Sequence, residues 1–169
     1  WLCNLMINQA PETDTANLTN AVMLARKSSN FAFKEAIIVA AAQSYYVQGY
    51  VKRAFNLVRE MAYSTGHGKY FFLLGTWALE QGNSSVAADY FKLAEEKNIA
   101  RADVYRAIAN TEADSLQKAV SDWDSLSRSS DPEKVKLANS MKAVLQATPE
   151  QVTNFSDSNK YAYIRYRIK

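Results

Sequence analysis

Apolar residues recur at helical spacing along almost the whole chain. From Thr15 to Lys27, Leu18, Ala21, Val22 and Ala25 fall on one face, with Asp14 and Thr15 as candidate caps. A second helix is predicted from Phe31 to Gln48, stopped by Gly49. A third runs from Val51 to Tyr63 and ends at the Gly66-His67-Gly68 break. A fourth spans Lys69 to Gln81 and stops at Gly82; Ser84 or Ser85 caps a fifth that reaches Lys97. Later helical segments are predicted at about 102–113, 115–128, 132–146 and 148–155. Glycine or a polar cluster follows most of them, where a left-handed residue ends a helix at least cost. The stretch from Tyr161 to Arg167 alternates like a strand; as a helix it would align Tyr161, Ile164 and Ile168.

A second periodicity lies over the first. Gly49 and Gly82 stand 33 positions apart, as do Ala54 and Ala87, and Val58 and Phe91. One unit reads Phe71, Leu74, Gly75, Ala78, Gly82, Ala87, Phe91, Ala94; the unit before it reads Ile38, Ala41, Ala42, Tyr45, Gly49, Ala54, Val58, Met61. A looser third contains Tyr105, Ile108, Ala109, Ala119, Trp123, Leu126 and Pro132. This order of large and small residues resembles the tetratricopeptide repeat. Two departures are Ala78 in place of the usual Tyr and Ala42 in place of the first Gly.

The resemblance implies an all-α fold: a right-handed α-solenoid of stacked antiparallel helix pairs. It implies one helical-repeat domain over 1–169, clearest at about 35–67 and 68–101 and looser at about 1–34, 102–132 and 133–169. In such a stack one helix pair cannot bury its own apolar face, so neighbours must cover it. First helices would line a concave face. On this sequence that face comprises Val39, Gln43 and Tyr46, then Lys69, Phe72 and Thr76, then Asp103, Arg106 and Asn110. Aromatic, amide and charged groups together suit an extended peptide or a helix of a partner. The expected role is therefore a protein–protein interaction scaffold. The alternative is a structural or regulatory spacer packed against neighbouring domains of a longer chain. Solenoid ends normally carry a polar cap. The apolar start (Trp1, Leu2, Leu5, Met6, Ile7) and the close on Tyr166 and Ile168 fit a fragment, or ends covered by a partner.

Composition narrows the chemistry. The 169 residues contain one His and one Cys, His67 and Cys3, too few for an intramolecular disulfide, a Cys-rich zinc module or a triad needing two histidines. Five Gly and three Pro disfavour a many-turned β-sandwich. The longest apolar run, Ala36 to Ala42, is far below the roughly 18 residues of a membrane span. The lone thiol leaves both the cytoplasm and a bacterial periplasm open.

Candidate chemistry is sparse. Gly66-His67-Gly68-Lys69 lacks the earlier Gly and the following hydroxyl of a phosphate loop, because Tyr63 and Tyr70 stand there. The acid pairs Glu95-Glu96, Asp122 with Asp124, and Glu112 with Asp114 should diverge into solvent, whereas acid–base work needs convergence in a dry cleft. No enzyme and no cofactor are expected. Lys160, Arg165, Arg167 and Lys169 alternate with Tyr161, Tyr163 and Tyr166, a pattern that can bind nucleic acid. With a net charge of only +3, a docking helix or a junction to a further domain is the expected reading of that end, and nucleic acid is not the expected partner.

Overall fold

The computed structural model describes residues 15–167, without the side chain of Arg167. Cys3, the apolar start, the Asp14 cap, Ile168 and Lys169 lie outside the described residues. The described chain is helical with no strand, and consecutive helices pack together. The helices are α1 (Thr15–Lys27), α2 (Phe31–Val47), α3 (Val51–Thr65), α4 (Gly68–Glu80), α5 (Ser84–Glu96), α6 (Ala102–Glu112), α7 (Leu116–Leu126), α8 (Pro132–Gln146) and α9 (Asp157–Arg167).

Local chemistry sets the ends. The Asn30 side chain accepts from the Phe33 amide at 3.0 Å and starts α2. Asp131 accepts from the Glu133 amide at 2.9 Å, just ahead of Pro132, and starts α8. Gly66 closes α3 in the left-handed region at φ 67°, its N–H bonded to the Ala62 carbonyl. Later turns use residues with side chains in that region: Asn98, Arg101 and Asp114.

Two predicted elements differ. The segment predicted at 148–155 forms only a short 3-10 turn, Gln151–Asn154, after Thr148 and Pro149. Pro149 holds Thr148 away from helical angles, which ends the continuation of α8. The C-terminal stretch is a helix, not a strand, but it buries a different face. Tyr161 and Ile164 are exposed. Tyr163 is buried with Val144 and Ala147, flanked by Val152, Phe155 and Ala162.

The chain divides into two compact units, the first ending at Leu74 and the second starting at Gly75, within α4. In the first unit, α1 buries Leu18, Ala21, Val22 and Ala25, the face expected from the spacing. Helix α1 packs against α2, which buries Ile37, Ile38, Ala41, Ala42 and Tyr45. Helix α2 also packs against α3, which buries Ala54, Leu57, Val58, Met61 and Ala62. Alanines at the contact let the backbones approach; each buried Leu or Ile then contributes about 1.5–3 kcal/mol.

The second unit begins with a close approach. A Cβ on Gly75 would meet the Phe91 ring at 2.7 Å, so only hydrogen fits there. Phe91 is fully buried, and its ring lies 5.4 Å from that of Tyr105. A core of Val104, Ala107, Ala119, Trp123, Leu126, Ala138 and Leu145 joins α6, α7 and α8. Trp123 is its largest member, and its indole N–H donates to the Thr111 hydroxyl at 3.0 Å.

Candidate functional site

The nine residues expected on the binding face divide between the units. Val39, Gln43 and Tyr46 belong to α2, at successive spacings of four and three that stack them in one strip. Gln43 is exposed and Val39 and Tyr46 are half-buried. The same strip continues through the exposed Ala32 and Ala36 to Val47, which is 85% exposed. It carries no charge. The opposite side of α2 holds the buried Ile37, Ile38, Ala41 and Tyr45.

Lys69 sits at the start of α4 and is exposed, but its ammonium lies 2.9 Å from the Glu35 carboxylate. The Tyr70 hydroxyl donates to the same carboxylate, and His67 Nδ1 is 3.5 Å away. The hydrogen bonds from Lys69 and then Tyr70 hold the Glu35 carboxyl below its ordinary range, against a smaller opposing effect of burial. Burial, then the Glu35 hydrogen bond, pushes the Tyr70 phenol up. Near neutral pH the carboxylate is charged and the phenol protonated, so the cluster is a satisfied tie between α2 and α4. Phe72 and Thr76 follow along α4, both half-buried.

In the second unit, which also holds Thr76, the predicted Asp103, Arg106 and Asn110 are engaged by neighbours of their own unit. Asp103 meets Lys134 of α8 at 2.6 Å. Arg106 bridges two carboxylates, Glu95 of α5 and Asp122 of α7, the latter at 2.9 Å. Asn110 is buried and donates to the other oxygen of Asp122 at 2.7 Å. Arg106 and Asn110 thus line a groove of about 490 Å³ between α5 and α7, with α6 behind it. The acid pairs expected to diverge are each drawn to a cation: Asp124 to Lys142 at 2.6 Å, and Glu112 to Arg165. Tyr166 also donates to Glu112, at 3.2 Å.

Sequence reasoning did not single out a larger groove in the first unit. It occupies about 680 Å³ between α1 and α3, with Tyr45 of α2 behind. The Tyr45 hydroxyl lies 2.8 Å from that of Thr19 and 3.2 Å from the Thr15 carbonyl, which fixes the ring. Val22, Met23 and Leu57 give the groove an apolar centre; Arg26, Lys27 and Arg53 border it. Charge by segment was the available signal, because α1 contains Arg26 and Lys27 and no acid.

Among the described residues no cluster of His, Cys, Asp and Glu could hold a metal ion. No described helix is long and apolar enough to cross a membrane. Comparison with protein-family models, curated proteins and solved structures yields no match to this chain.

Proposed function

We propose that this chain is a helical-repeat module of the tetratricopeptide type whose task is to bind another protein, without chemistry of its own. The observation that carries this reading is the uncharged strip of α2. An exposed helical strip on a soluble protein is normally charged, as on α3, where Lys52, Arg53, Asn56, Arg59 and Glu60 all face out. On α2 the corresponding positions are Ala32, Ala36, Val39, Gln43, Tyr46 and Val47. In a tetratricopeptide stack Val39, Gln43 and Tyr46 are inward positions of a first helix, where a partner's peptide or helix would lie. The contact of Gly75 with Phe91 supports the repeat reading, since those positions are the small and large residues of its pattern.

A second reading has its own observation. Asp103, Arg106 and Asn110 are tied to Lys134, Glu95 and Asp122. A second unit so satisfied internally suits a spacer between domains of a longer chain.

Affinity capture from source cell extract, followed by mass spectrometry, separates the two. A parallel bait carries Gln43→Lys and Val47→Lys, both at exposed positions. Partners lost from that bait, with unchanged helical circular dichroism, establish the α2 strip as the binding face. Partners retained equally by both baits would refute it.

A further inference from the structure

The α1–α3 groove lies on the side of α2 away from the uncharged strip, because Tyr45 and not Tyr46 lines it. Its lining holds Arg26, Lys27 and Arg53 against the single acid Glu60, and the helices α1 and α3 that form it are one-sided in charge. Helix α1 carries Arg26 and Lys27, and α3 carries Lys52, Arg53 and Arg59 against the single acid Glu60. These two helices therefore hold net +4, more than the +3 of the whole chain, and the remaining residues sum to −1. Glu60 is already spent on Arg26. Lys27 and Arg53 have no carboxylate partner among the described residues.

We propose that this groove is a docking site for an acidic peptide segment carrying an apolar anchor side chain. The anchor enters between Val22 and Leu57. Met23, half exposed at the mouth, adjusts around it, since a thioether chain fits irregular shapes. Flanking carboxylates meet Lys27 and Arg53. The Arg53 guanidinium lies over two rings, 5.8 Å from the centre of Tyr45 and 5.6 Å from that of Tyr50. Those rings hold it in place before a ligand arrives, which lowers the ordering cost of binding. A nucleic acid would use the same cations but not the apolar centre, so the peptide is the better fit.

The test uses the full chain and fluorescence anisotropy. The probe is a labelled helical peptide of about 14 residues, four turns long, with Leu at core spacing and Glu elsewhere. The controls are the same peptide with Lys for Glu, and an oligothymidine of matched length. The acidic peptide should bind, and both controls should bind at least about tenfold more weakly. Lys27→Glu with Arg53→Glu should weaken the acidic peptide about tenfold or more, and Met23→Glu similarly. Gln43→Lys with Val47→Lys should leave it unchanged, which keeps this site's fate separate from that of the α2 strip. All these positions are exposed; should a charge-reversed variant unfold, the native chain still decides, because binding must fall steeply with added salt. No binding of the acidic peptide, equal binding of the lysine peptide, tighter binding of oligothymidine, or salt-independent affinity would each overturn the proposal.

Discussion

In the first unit, α1, α2 and α3 are held by alanines and branched apolar residues, with polar ties at Tyr45 and at Glu35. In the second unit, every helix from α5 to α9 is tied to another by a side-chain hydrogen bond or ion pair: Glu95 to Arg106, Arg106 to Asp122, Asp103 to Lys134, Asp124 to Lys142, Glu112 to Arg165. The first unit pairs Arg26 with Glu60 and Lys69 with Glu35 but leaves Lys27 and Arg53 without a carboxylate among the described residues; the second uses its charges to join its own helices. Charge already paired within the unit has less left to offer a partner. Both surfaces proposed above for binding therefore lie in the first unit.

The largest expected effect is at the centre of the second unit. Trp123→Ala removes a fully buried indole and leaves the Thr111 hydroxyl without its donor. It should destabilise by about 3–5 kcal/mol in urea denaturation. Next comes the network itself. Asp122→Ala takes the acceptor from buried Asn110 and one of two carboxylates from Arg106, and should cost about 1–3 kcal/mol. Its counterpart in the first unit, Arg26→Ala, breaks an ion pair whose partners are each about half exposed, and should cost under about 1 kcal/mol. Equal losses from these two variants would erase the contrast. Gly75→Ala should cost about 1–2 kcal/mol, because overpacking against Phe91 exceeds the gain in helix propensity. A companion Phe91→Leu should make the two losses less than additive, a coupling that a double-mutant cycle reads directly.

Acid titration gives the smallest and most specific comparison. The folded-state value of Glu35 is lowered, so its contribution to stability is full above the ordinary 4.5 and is lost as pH falls toward the lowered value. Glu35→Gln should flatten the acid limb of the stability–pH curve in that window. Asp124 is lowered too, chiefly by its hydrogen bond from Lys142, but it lies at the surface, so Asp124→Asn should flatten it less.

The helices were legible because their stops are local. Gly49, Gly66 and Gly82 sit at positive φ, where glycine is the cheapest residue. The α1 face was legible because one period of 3.6 decides it. The face of α9 was not, since burying Tyr163 depends on Val144 and Ala147 at the end of α8 and on Val152 and Phe155 at the turn. The start of α9 had a signal in Ser156, whose carbonyl takes the Lys160 amide at 2.9 Å. The candidate site divides in the same way. The α2 strip follows from spacing alone. The pairing of Arg106 and Asn110 with Asp122 needs α6 and α7 side by side, which no local pattern encodes.

The left-handed turn residues have a consequence for how far this scaffold can be improved. Arg101, at φ 66°, holds a conformation that costs a residue with a Cβ about 1–2 kcal/mol. Glycine there would relieve that cost and give back about 0.5–1 kcal/mol through the freer unfolded chain, a net gain that a thermal melt of Arg101→Gly should register. The second unit therefore holds thermal headroom in its connections, outside both its core and its charge network, and a more heat-resistant version can be reached without touching either candidate binding surface.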